Sequence, residues 1–351
     1  MNELNKHLKN NQVSVLLSKI EKMDGITEVM LNGPKNIFIE QQGRIIYLDD
    51  AVSEKSYLEY IKLIAKYNKK DFSKSVPILD GSLPDGSRIN IIGGELTDRY
   101  PVLTIRKYLE SFDSLENSYE KFCLDKKWLN YFKSIIQSRL NLIIYGGTGA
   151  GKTTFLNLLL NEINPTERIV VIEDTRELVC RNPNVVYLKS LTDTAPSFFS
   201  GLRPLVKNSL RMRPDRIIVG EVRSAEAFDL IMAMNTGHSG SMTSIHANTT
   251  KDVIHRLSNL ILLNGIDFPG ETVARQISSA INIVIGLQKG MNGRNHIRDI
   301  SEFVGMESGN VSINQIAKFD GEKLVPGKSS SYYLKRLVEV GLAPNFFKSQ
   351  S

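Results

Sequence analysis

The sequence predicts an α/β protein made of an N-terminal α+β domain and a larger domain built on a parallel sheet. Two patterns indicate this arrangement. Up to about residue 110, short strand-like runs are mixed with helical stretches, and glycine and proline turns separate them. Beyond residue 120, near-continuous apolar strands alternate with helices, which is typical of a parallel sheet covered on both faces.

The N-terminal domain is predicted from short periodic segments. Apolar residues at helical spacing predict helices over 13–23 and 54–67, and turn residues occupy 81–86. Strands are predicted over 27–32, 36–40, 44–47, 88–92 and 102–106. A polar connector from Ser111 to Ser118 follows, and such stretches usually mark a domain boundary. We therefore expect an N-terminal domain over 1–110, a linker over 111–120 and a C-terminal domain over 121–351.

The C-terminal domain begins with the alternating pattern. Buried strands are predicted over 142–145, 169–172 and 216–219, and an apolar helix over 152–162. After Thr250 the pattern becomes mostly helical, with helices over 253–263 and 271–281 and short strands over 283–287 and 297–304. The domain is therefore expected to end in a C-terminal helical part.

Composition limits the classes of protein that come into question. The 351 residues are 41% apolar and 23% charged, which is ordinary for globular domains and argues against a disordered or fibrous protein. The net charge of +6 suits a protein that works beside acidic lipid or nucleic acid. It equally suits a protein with no such partner, so charge alone does not choose between them.

Cysteine usage and hydropathy bear on the cell compartment. Cys123 and Cys180 are far apart, which argues against a zinc module or a disulfide framework and is typical of a reducing cytosol. The first eleven residues are polar, without the apolar core of a signal peptide, and no apolar run reaches about 18 residues. We therefore expect a cytoplasmic protein whose role at a membrane is at most peripheral.

The clearest chemical motif is a complete GxxxxGKT sequence over 146–153, which predicts a phosphate-binding loop. Its glycines let backbone N–H groups turn inward around a phosphate, Lys152 neutralises phosphate charge, and the Thr153 hydroxyl is placed to bind Mg²⁺. An apolar strand precedes the loop and a helix follows it, as this motif requires. The loop residues are Gly146, Gly147, Thr148, Gly149, Ala150, Gly151, Lys152 and Thr153.

A second motif is the acidic segment that follows the predicted strand over 169–172. In open parallel sheets ligands sit at the carboxyl ends of strands, so a carboxylate there can polarise the water that attacks a phosphate. Glu173 directly follows the strand and is the favoured catalytic candidate. The alternative is a solvated turn in which Asp174 or Thr175 caps a helix.

The strand over 216–219 leads to another carboxylate, Glu221, in the position of a Walker B motif. Gly220 stands where an aspartate is usual, so Mg²⁺ is expected to be held by Thr153, phosphate oxygens and water, with Glu221 bound directly or through water. Three nearby arginines could pair with phosphates or carboxylates, or form surface or interface ion pairs. They are Arg211, Arg213 and Arg223.

A fourth segment, 235–248, places His238 and His246 around a run rich in glycine and hydroxyl residues. A zinc site would need more ligands close by, and neither cysteine is near, so zinc is rejected. Imidazole and hydroxyl donors can report whether a terminal phosphate is present. The segment therefore predicts a γ-phosphate sensor, with His246 favoured.

Together these segments resemble the traffic ATPases of type II and type IV secretion systems and of type IV pili. The resemblance is carried by GGTGAGKTT (146–154), VIEDTREL (171–178), RMRPDRIIVGEVR (211–223) and NTGHSGSMTSIHANT (235–249). Within this family the segments ITEVMLNGP (26–34), LPDGSRIN (83–90) and PVLTIRK (101–107) look like the CpaF-type ATPases of tight-adherence pili. No four-cysteine insertion is present, which disfavours the type II secretion branch.

The resemblance implies a homohexameric ring in which ATP and Mg²⁺ lie between an N-terminal domain and a RecA-like domain. It implies that Arg88 and Arg106 complete the nucleotide site, with Arg99 a weaker candidate, and that Thr154 extends the nucleotide-binding segment. Glu173 corresponds to the family's acidic-box glutamate, Glu221 to its Walker B glutamate and His246 to its sensor histidine. The implied partners are inner-membrane platform proteins, so the chain is expected in the cytoplasm, peripheral at the inner membrane.

The function predicted from these features is a hexameric ATPase that powers assembly of a tight-adherence pilus or protein secretion. One alternative is the ATPase of a conjugative or effector-translocating type IV secretion system, which shares every motif. A nucleic-acid motor is less favoured because no aromatic residues interleave with basic ones for base stacking, and no stable nucleic-acid partner is expected. A non-hydrolysing assembly protein is disfavoured by Lys152 and by the two glutamates at strand ends.

Overall fold

A computed structural model of the chain describes residues 10–107, 114–190, 201–263, 265, 268–290 and 293–347. The chain forms two compact units, Met1–Glu110 and Ser111–Ser351, and each is described by itself below. None of the helices within these described ranges is long and apolar enough to cross a membrane.

Among its described residues, the N-terminal unit is a six-stranded antiparallel sheet with two α-helices. The helices are α1 (Gln12–Ile20) and α2 (Glu54–Tyr67). The strands are β1 (Ile26–Leu31), β2 (Ile37–Gln41), β3 (Arg44–Leu48), β4 (Ile78–Ser82), β5 (Arg88–Ile92) and β6 (Val102–Arg106). They lie in the order β3-β2-β1-β6-β5-β4. This mixed arrangement is the α+β architecture predicted for the first part of the chain.

The core of this unit forms between the two helices and one face of the sheet. Fully buried residues include Val29 and Leu31 on β1, and Tyr57 and Ile64 on α2. The Tyr57 hydroxyl donates to the carbonyl of Leu31 at 3.0 Å and to that of Pro101 at 2.6 Å. A buried tyrosine usually needs a partner for its hydroxyl, so these bonds help to fix the position of α2 on the sheet.

Strand β4 was not predicted, because Gly81 and Ser82 suggested a turn. It pairs with β5 along its whole length, and Ser82 lies opposite Arg88. A Cβ atom added at Gly81 would lie 2.5 Å from Oδ1 of Asn68. The glycine is therefore explained by the close approach of a side chain within a strand.

The C-terminal unit contains eight helices and nine strands among its described residues. The helices are α3 (Leu115–Ser118), α4 (Lys127–Gln137), α5 (Lys152–Leu160), α6 (Arg203–Ser209), α7 (Glu226–Asn235), α8 (Thr250–Leu262), α9 (Gly270–Ala280) and α10 (Leu334–Glu339). The strands are β7 (Leu142–Gly146), β8 (Ile169–Glu173), β9 (Val185–Lys189), β10 (Arg216–Val219), β11 (Met242–Ile245), β12 (Ile283–Lys289), β13 (Asn295–Glu307), β14 (Asn310–Phe319) and β15 (Leu324–Pro326).

The nine strands form one sheet in the order β15-β14-β13-β12-β7-β11-β10-β8-β9. Six neighbouring strands, β12, β7, β11, β10, β8 and β9, are parallel to one another. The remaining strands, β13, β14 and β15, pair antiparallel with their neighbours. Successive residues of β7 enter two separate cores: Leu142 and Ile144 pack in one, and Ile143 and Tyr145 in the other. The central strand is therefore covered on both faces, which confirms the predicted α/β class.

The end of this unit differs from the prediction of a mostly helical region with short strands. Helices α8 and α9 are present, but β13 and β14 run for 13 and 10 residues. Two register shifts interrupt their pairing. Polar residues are frequent in both strands, so the apolar pattern shows only a part of their length. Strand β11 was also missed because its hydroxyl-bearing sequence, MTSI, suggested a ligand-binding loop; all four residues are buried.

The expected linker lies partly outside the described residues, at 111–113. Its described part forms α3 and a 3₁₀ turn, Tyr119–Phe122. Leu115 and Phe122 are buried in the core of the C-terminal unit. The second half of the linker therefore belongs to that unit, because its apolar side chains are packed there.

Candidate nucleotide-binding site

The GxxxxGKT segment connects β7 to α5, at the centre of the nine-stranded sheet. Gly149 and Gly151 have φ values of 71° and 86°, in the left-handed region that favours glycine. A Cβ atom added at Gly146 would lie 2.4 Å from the carbonyl oxygen of Leu287 on β12. Glycine is thus required in this loop both for its turns and for the close approach of a neighbouring strand.

Lys152 begins helix α5, and its side chain folds back over the loop. The residue is only 8% exposed, and Nζ donates to the carbonyl oxygens of Gly146 at 3.0 Å and Gly147 at 2.9 Å. A cation at the positive end of a helix dipole favours an anion nearby. Thr153 is half-buried and Thr154 is exposed, so both remain accessible from the loop. The loop thus has the charge and the backbone shape of a phosphate site.

The order of the strands places three predicted residues beside this loop. Neighbouring strands follow the order β7-β11-β10-β8 and are parallel, so their carboxyl ends share one edge. His246 follows β11, Glu221 follows β10, and Glu173 ends β8. With about 4.8 Å between strands, the three residues form a row that leads away from the loop.

His246 connects Lys152 to Glu221. Its Nδ1 atom lies 3.4 Å from Nζ of Lys152, and its Nε2 atom lies 3.0 Å from Oε1 of Glu221. Because an ammonium group only donates, Nδ1 faces it as an acceptor, which leaves the proton on Nε2 directed at the carboxylate. Burial and the Lys152 charge lower the pKa of His246, while Glu221 opposes them. His246 is therefore neutral at neutral pH, and its approach to Oε1 of Glu221 is a close polar contact that leaves this oxygen without an aligned hydrogen bond from the described part of the chain.

Glu221 is also paired with Arg223. The Nε atom of Arg223 donates to Oε2 of Glu221 at 2.9 Å, and its Nη2 atom contacts the same oxygen. Glu221 is 17% exposed and Arg223 is 58% exposed, so the pair reaches from the site to the surface of the unit. Of the three arginines singled out from the sequence, Arg223 thus pairs with a carboxylate of the site.

The other two arginines of this segment lie elsewhere. Arg211 and Arg213 are exposed and precede β10, at the edge of the sheet opposite the phosphate loop. Strand β10 lies between them and that loop, so both are surface residues of this unit, and their pairing with phosphates, with carboxylates or at an interface stays a prediction. Sequence reasoning missed Arg216, which is 1% exposed and donates to Glu167 at 2.9 and 2.8 Å. One signal in the sequence indicated this buried ion pair, namely an arginine at the start of a strand predicted to be buried.

Glu173 makes a different set of contacts. It is 7% exposed, and its Oε1 atom accepts from the backbone N–H groups of Glu177 and Leu178, each at 3.1 Å. A Cβ atom added at Gly220 would lie 3.0 Å from Cγ of Glu173. The side chain of Glu173 thus fills the space next to the position where a Walker B aspartate is usual. Its catalytic role stays a prediction.

The arginines predicted in the N-terminal unit are neighbours within its sheet. Arg88 at the start of β5 lies opposite Arg106 at the end of β6. Nε of Arg106 lies 3.5 Å from Oε1 of Glu28, and Arg99 lies over the ring of Tyr100, 5.1 Å from its centroid. The two arginines bring positive charge to one end of the sheet, and Glu28 beside Arg106 offsets a part of it. Their role at a nucleotide stays a prediction.

The donor set fits a magnesium ion held together with a nucleotide. Thr153 and Glu221 present hydroxyl and carboxylate oxygens, which are the ligands that hard cations prefer. Within the part of the chain that the structure describes, no group of three or more His, Cys, Asp or Glu side chains could hold a metal ion. A magnesium ion at this edge would therefore need phosphate oxygens and water as further ligands.

Comparison with known proteins shows what the chain as a whole is similar to. The family model described as "Type II/IV secretion system protein" matches residues 10–315. The chain is 30% identical over 309 residues to the conjugal transfer protein TrbB of Rhizobium radiobacter, which covers 86% of this chain and 90% of that protein. It is 28% identical over 328 residues to the type IV secretion system protein VirB11 of Bartonella henselae, covering 81% and 92%.

A solved structure shows the same fold. The Legionella pneumophila ATPase DotB superposes with a TM-score of 0.60 at 20% identity, covering 85% of this chain and 81% of that one. The architecture is therefore an N-terminal domain followed by a RecA-like ATPase domain, as the resemblance implied.

Proposed function

Since the chain belongs to the type II/IV secretion system protein family and is an ATP-hydrolysing enzyme, we propose that it drives a conjugative or effector-translocating type IV secretion machine. Its 30%-identical relative is named as a conjugal transfer protein, and others are named as type IV secretion system proteins. These names favour the alternative drawn from the sequence over the tight-adherence pilus motor. CpaF-type ATPases are not singled out by these relatives.

The observation that carries the proposed chemistry is the contact of His246 with both Lys152 and Glu221. In the structure the Lys152 ammonium is satisfied by two loop carbonyls. When bound, ATP supplies the phosphoryl group that passes to water, and Mg²⁺ adds positive charge beside its phosphates. Lys152 then exchanges carbonyl oxygens for phosphate oxygens, which it neutralises more strongly because charged partners bind more tightly. Thr153 and Glu221 would hold the magnesium ion.

The row of side chains gives each residue a separate task in this proposal. Glu221 accepts hydrogen bonds and orients water, as a carboxylate at a strand end can. His246 presents its Nε2 proton on the side of Glu221, where a terminal phosphate could accept it when bound. Loss of that phosphate changes the partner of the imidazole, and the segment after β11 is then free to move. Glu173 is the second candidate for orienting water.

We place Arg88 and Arg106 in the completed site as cations that stabilise developing phosphoryl charge. Their opposition across β5 and β6 brings two positive charges to one sheet edge. The working assembly in this proposal is a homohexamer in the cytoplasm, attached to inner-membrane platform proteins. Arg88→Ala and Arg106→Ala should each lower turnover, whereas Arg44→Ala, an exposed arginine on β3, is the matched control.

The enzymatic part of the proposal is tested by ATPase activity across gel-filtration fractions, with wild type compared with Lys152→Ala. Activity confined to a peak of about six subunits, and absent from the variant, supports the ring motor. Full activity in a monomer peak contradicts it. Stimulation by single-stranded DNA that weakens with salt would favour a nucleic-acid motor instead.

The biological part is tested by deleting the gene and restoring it as wild type or as Lys152→Ala. Loss of substrate transfer with intact pili, restored only by wild type, supports a type IV secretion motor. Loss of surface pili with intact transfer would instead favour the tight-adherence pilus. Both machines share every motif, so only the phenotype separates them.

A further inference from the structure

A buried polar cluster lies directly beneath the phosphate loop. Its centre is Asp299 on β13, which is 4% exposed. The hydroxyl of Tyr145 lies 2.8 Å from each of its carboxylate oxygens, and Nε of Arg298 donates to Oδ2 at 2.8 Å. Nη2 of Arg298 donates to the Tyr145 oxygen, also at 2.8 Å. A buried carboxylate with these partners is satisfied and therefore holds its neighbours in one arrangement.

The cluster adjoins the phosphate loop on one side and the segment that carries His246 on the other. Tyr145 immediately precedes Gly146, the first residue of the phosphate loop. On the other side, Nη1 of Arg298 donates to the carbonyl of Asn248, two residues after His246. Thr250, at the start of α8, donates from Oγ1 to Asp299 at 3.2 Å. The segment that carries His246 is thus attached to β13 through Asn248 and Thr250.

The strand next to β7 leaves room for this cluster. A Cβ atom added at Gly286 on β12 would lie 2.5 Å from the Tyr145 hydroxyl oxygen. Burial, and then the charge of Asp299, raise the pKa of Tyr145, so its hydroxyl remains protonated and able to donate. The Tyr145 hydroxyl is therefore confined by the backbone of β12 and remains a hydrogen-bond donor to Asp299.

From these contacts we infer that Arg298 is a positioning residue for catalysis, which holds the segment 246–249 so that His246 stays between Lys152 and Glu221. This inference rests on the proposed role of His246. The guanidinium is suited to the task because one planar group donates to a carboxylate, a hydroxyl and a backbone carbonyl at fixed angles. A lysine ammonium has its three donors on one nitrogen, so it cannot reach all three partners, which face three different nitrogens of Arg298. Arg298 acts through His246 and is given no contact with the nucleotide.

A double-mutant cycle separates this role from a general effect on stability. The variants are Arg298→Met, His246→Gln and the pair, with Arg275→Met as the matched control. Arg275 is 68% exposed, and its guanidinium pairs with Glu271 one turn away on the same helix. Arg298→Met should lower kcat about tenfold with an unchanged KM for ATP, and should cost less than about twofold when His246 is already glutamine. Arg298→Lys should restore less than half of the lost activity.

Equal loss of kcat in both histidine backgrounds would overturn the inference, as would an effect confined to KM. Unchanged kcat in His246→Gln alone would instead remove the proposed sensor role, so the two failures are distinguishable. If Arg298→Met does not fold, Arg298→Lys takes its place in the cycle. Amide hydrogen exchange over 246–249 provides a second readout: it should accelerate in the Arg298 variant and remain at the wild-type rate in Arg275→Met.

Discussion

Gly220 lies against Glu173, so closely that a Cβ atom at position 220 would be 3.0 Å from Cγ and 3.2 Å from Oε1 of the glutamate. This relationship explains why a glycine stands where the Walker B motif usually has an aspartate. The neighbouring strand β8 supplies a carboxylate that occupies the adjacent space. Both residues are at the carboxyl ends of paired strands, so one side chain excludes the other.

The first prediction concerns this packing. Gly220→Asp should destabilise the C-terminal unit by about 1–3 kcal/mol, because Glu173 is displaced and two carboxylates are brought together. Gly220→Asp combined with Glu173→Ala should recover a large part of the loss. The measurement is urea unfolding. Gly270→Ala is the control, since a Cβ atom there has nothing within 4 Å. A Gly220→Asp variant as stable as the wild-type protein would contradict the packing argument.

The second prediction concerns Glu221. Glu221→Gln removes the charge that faces His246 and Arg223 but keeps the size of the side chain. We expect ATP binding to be kept and kcat to fall by about 10²-fold, which is the usual contribution of a positioned carboxylate. Single-turnover kinetics with a nucleotide-binding assay measures both. Turnover equal to that of wild type would remove Glu221 from the mechanism, and Glu173→Gln would then be tested in its place.

The third prediction concerns Arg216, whose guanidinium is 1% exposed and bonds Glu167 and the carbonyl of Ile136. Arg216→Met removes this partner from the Glu167 carboxylate, whose side chain is 13% exposed. Because Arg139 still pairs with Glu167 at 3.3 Å, the expected loss of stability is about 1–3 kcal/mol, typical of leaving buried hydrogen-bonding groups without a partner. Chemical denaturation measures it. Arg275→Met, on the surface, should change stability by less than about 0.5 kcal/mol, and similar values for the two would refute the assignment.

The fourth prediction concerns pH. Burial, and then the charge of Arg298, lower the pKa of His296, which stacks on Phe319 with ring centroids 4.1 Å apart. In the unfolded chain this histidine takes up a proton near pH 6.5, whereas the folded one resists it. Its contribution to stability is therefore present above the unfolded pKa and is lost as the pH falls through the lower, folded pKa.

His296→Phe keeps a ring against Phe319 and has no such titration. The difference in stability between pH 7.5 and pH 5.5 should therefore be smaller in the variant than in wild type. Urea midpoints at the two pH values measure this difference. The same loss on acidification in both proteins would show that His296 does not contribute to it.

Most of the chemistry of the site was predictable from the sequence. The motif over 146–153, the carboxylates at positions 173 and 221 and the histidine at 246 are local patterns, because strand ends and glycine turns depend on adjacent residues. The α/β class and the principal strands and helices followed from periodicity for the same reason. The full length of the β13 and β14 hairpin did not, because many of its residues are polar and are held by backbone pairing with the neighbouring strands, which an apolar pattern does not reveal.

Only the tertiary structure decided which of these residues meet. His246 and Glu221 are 25 residues apart in the chain, and they come within 3.0 Å because β11 and β10 are neighbours in the sheet. The same sheet placed Arg298, unremarkable in the sequence, beside the carbonyl of Asn248. Arg211 and Arg213 precede β10 and therefore lie at the opposite ends of the strands. The sequence by itself determined the chemical groups and their local turns. Their contacts were decided by strand order, which depends on packing between residues far apart in the chain.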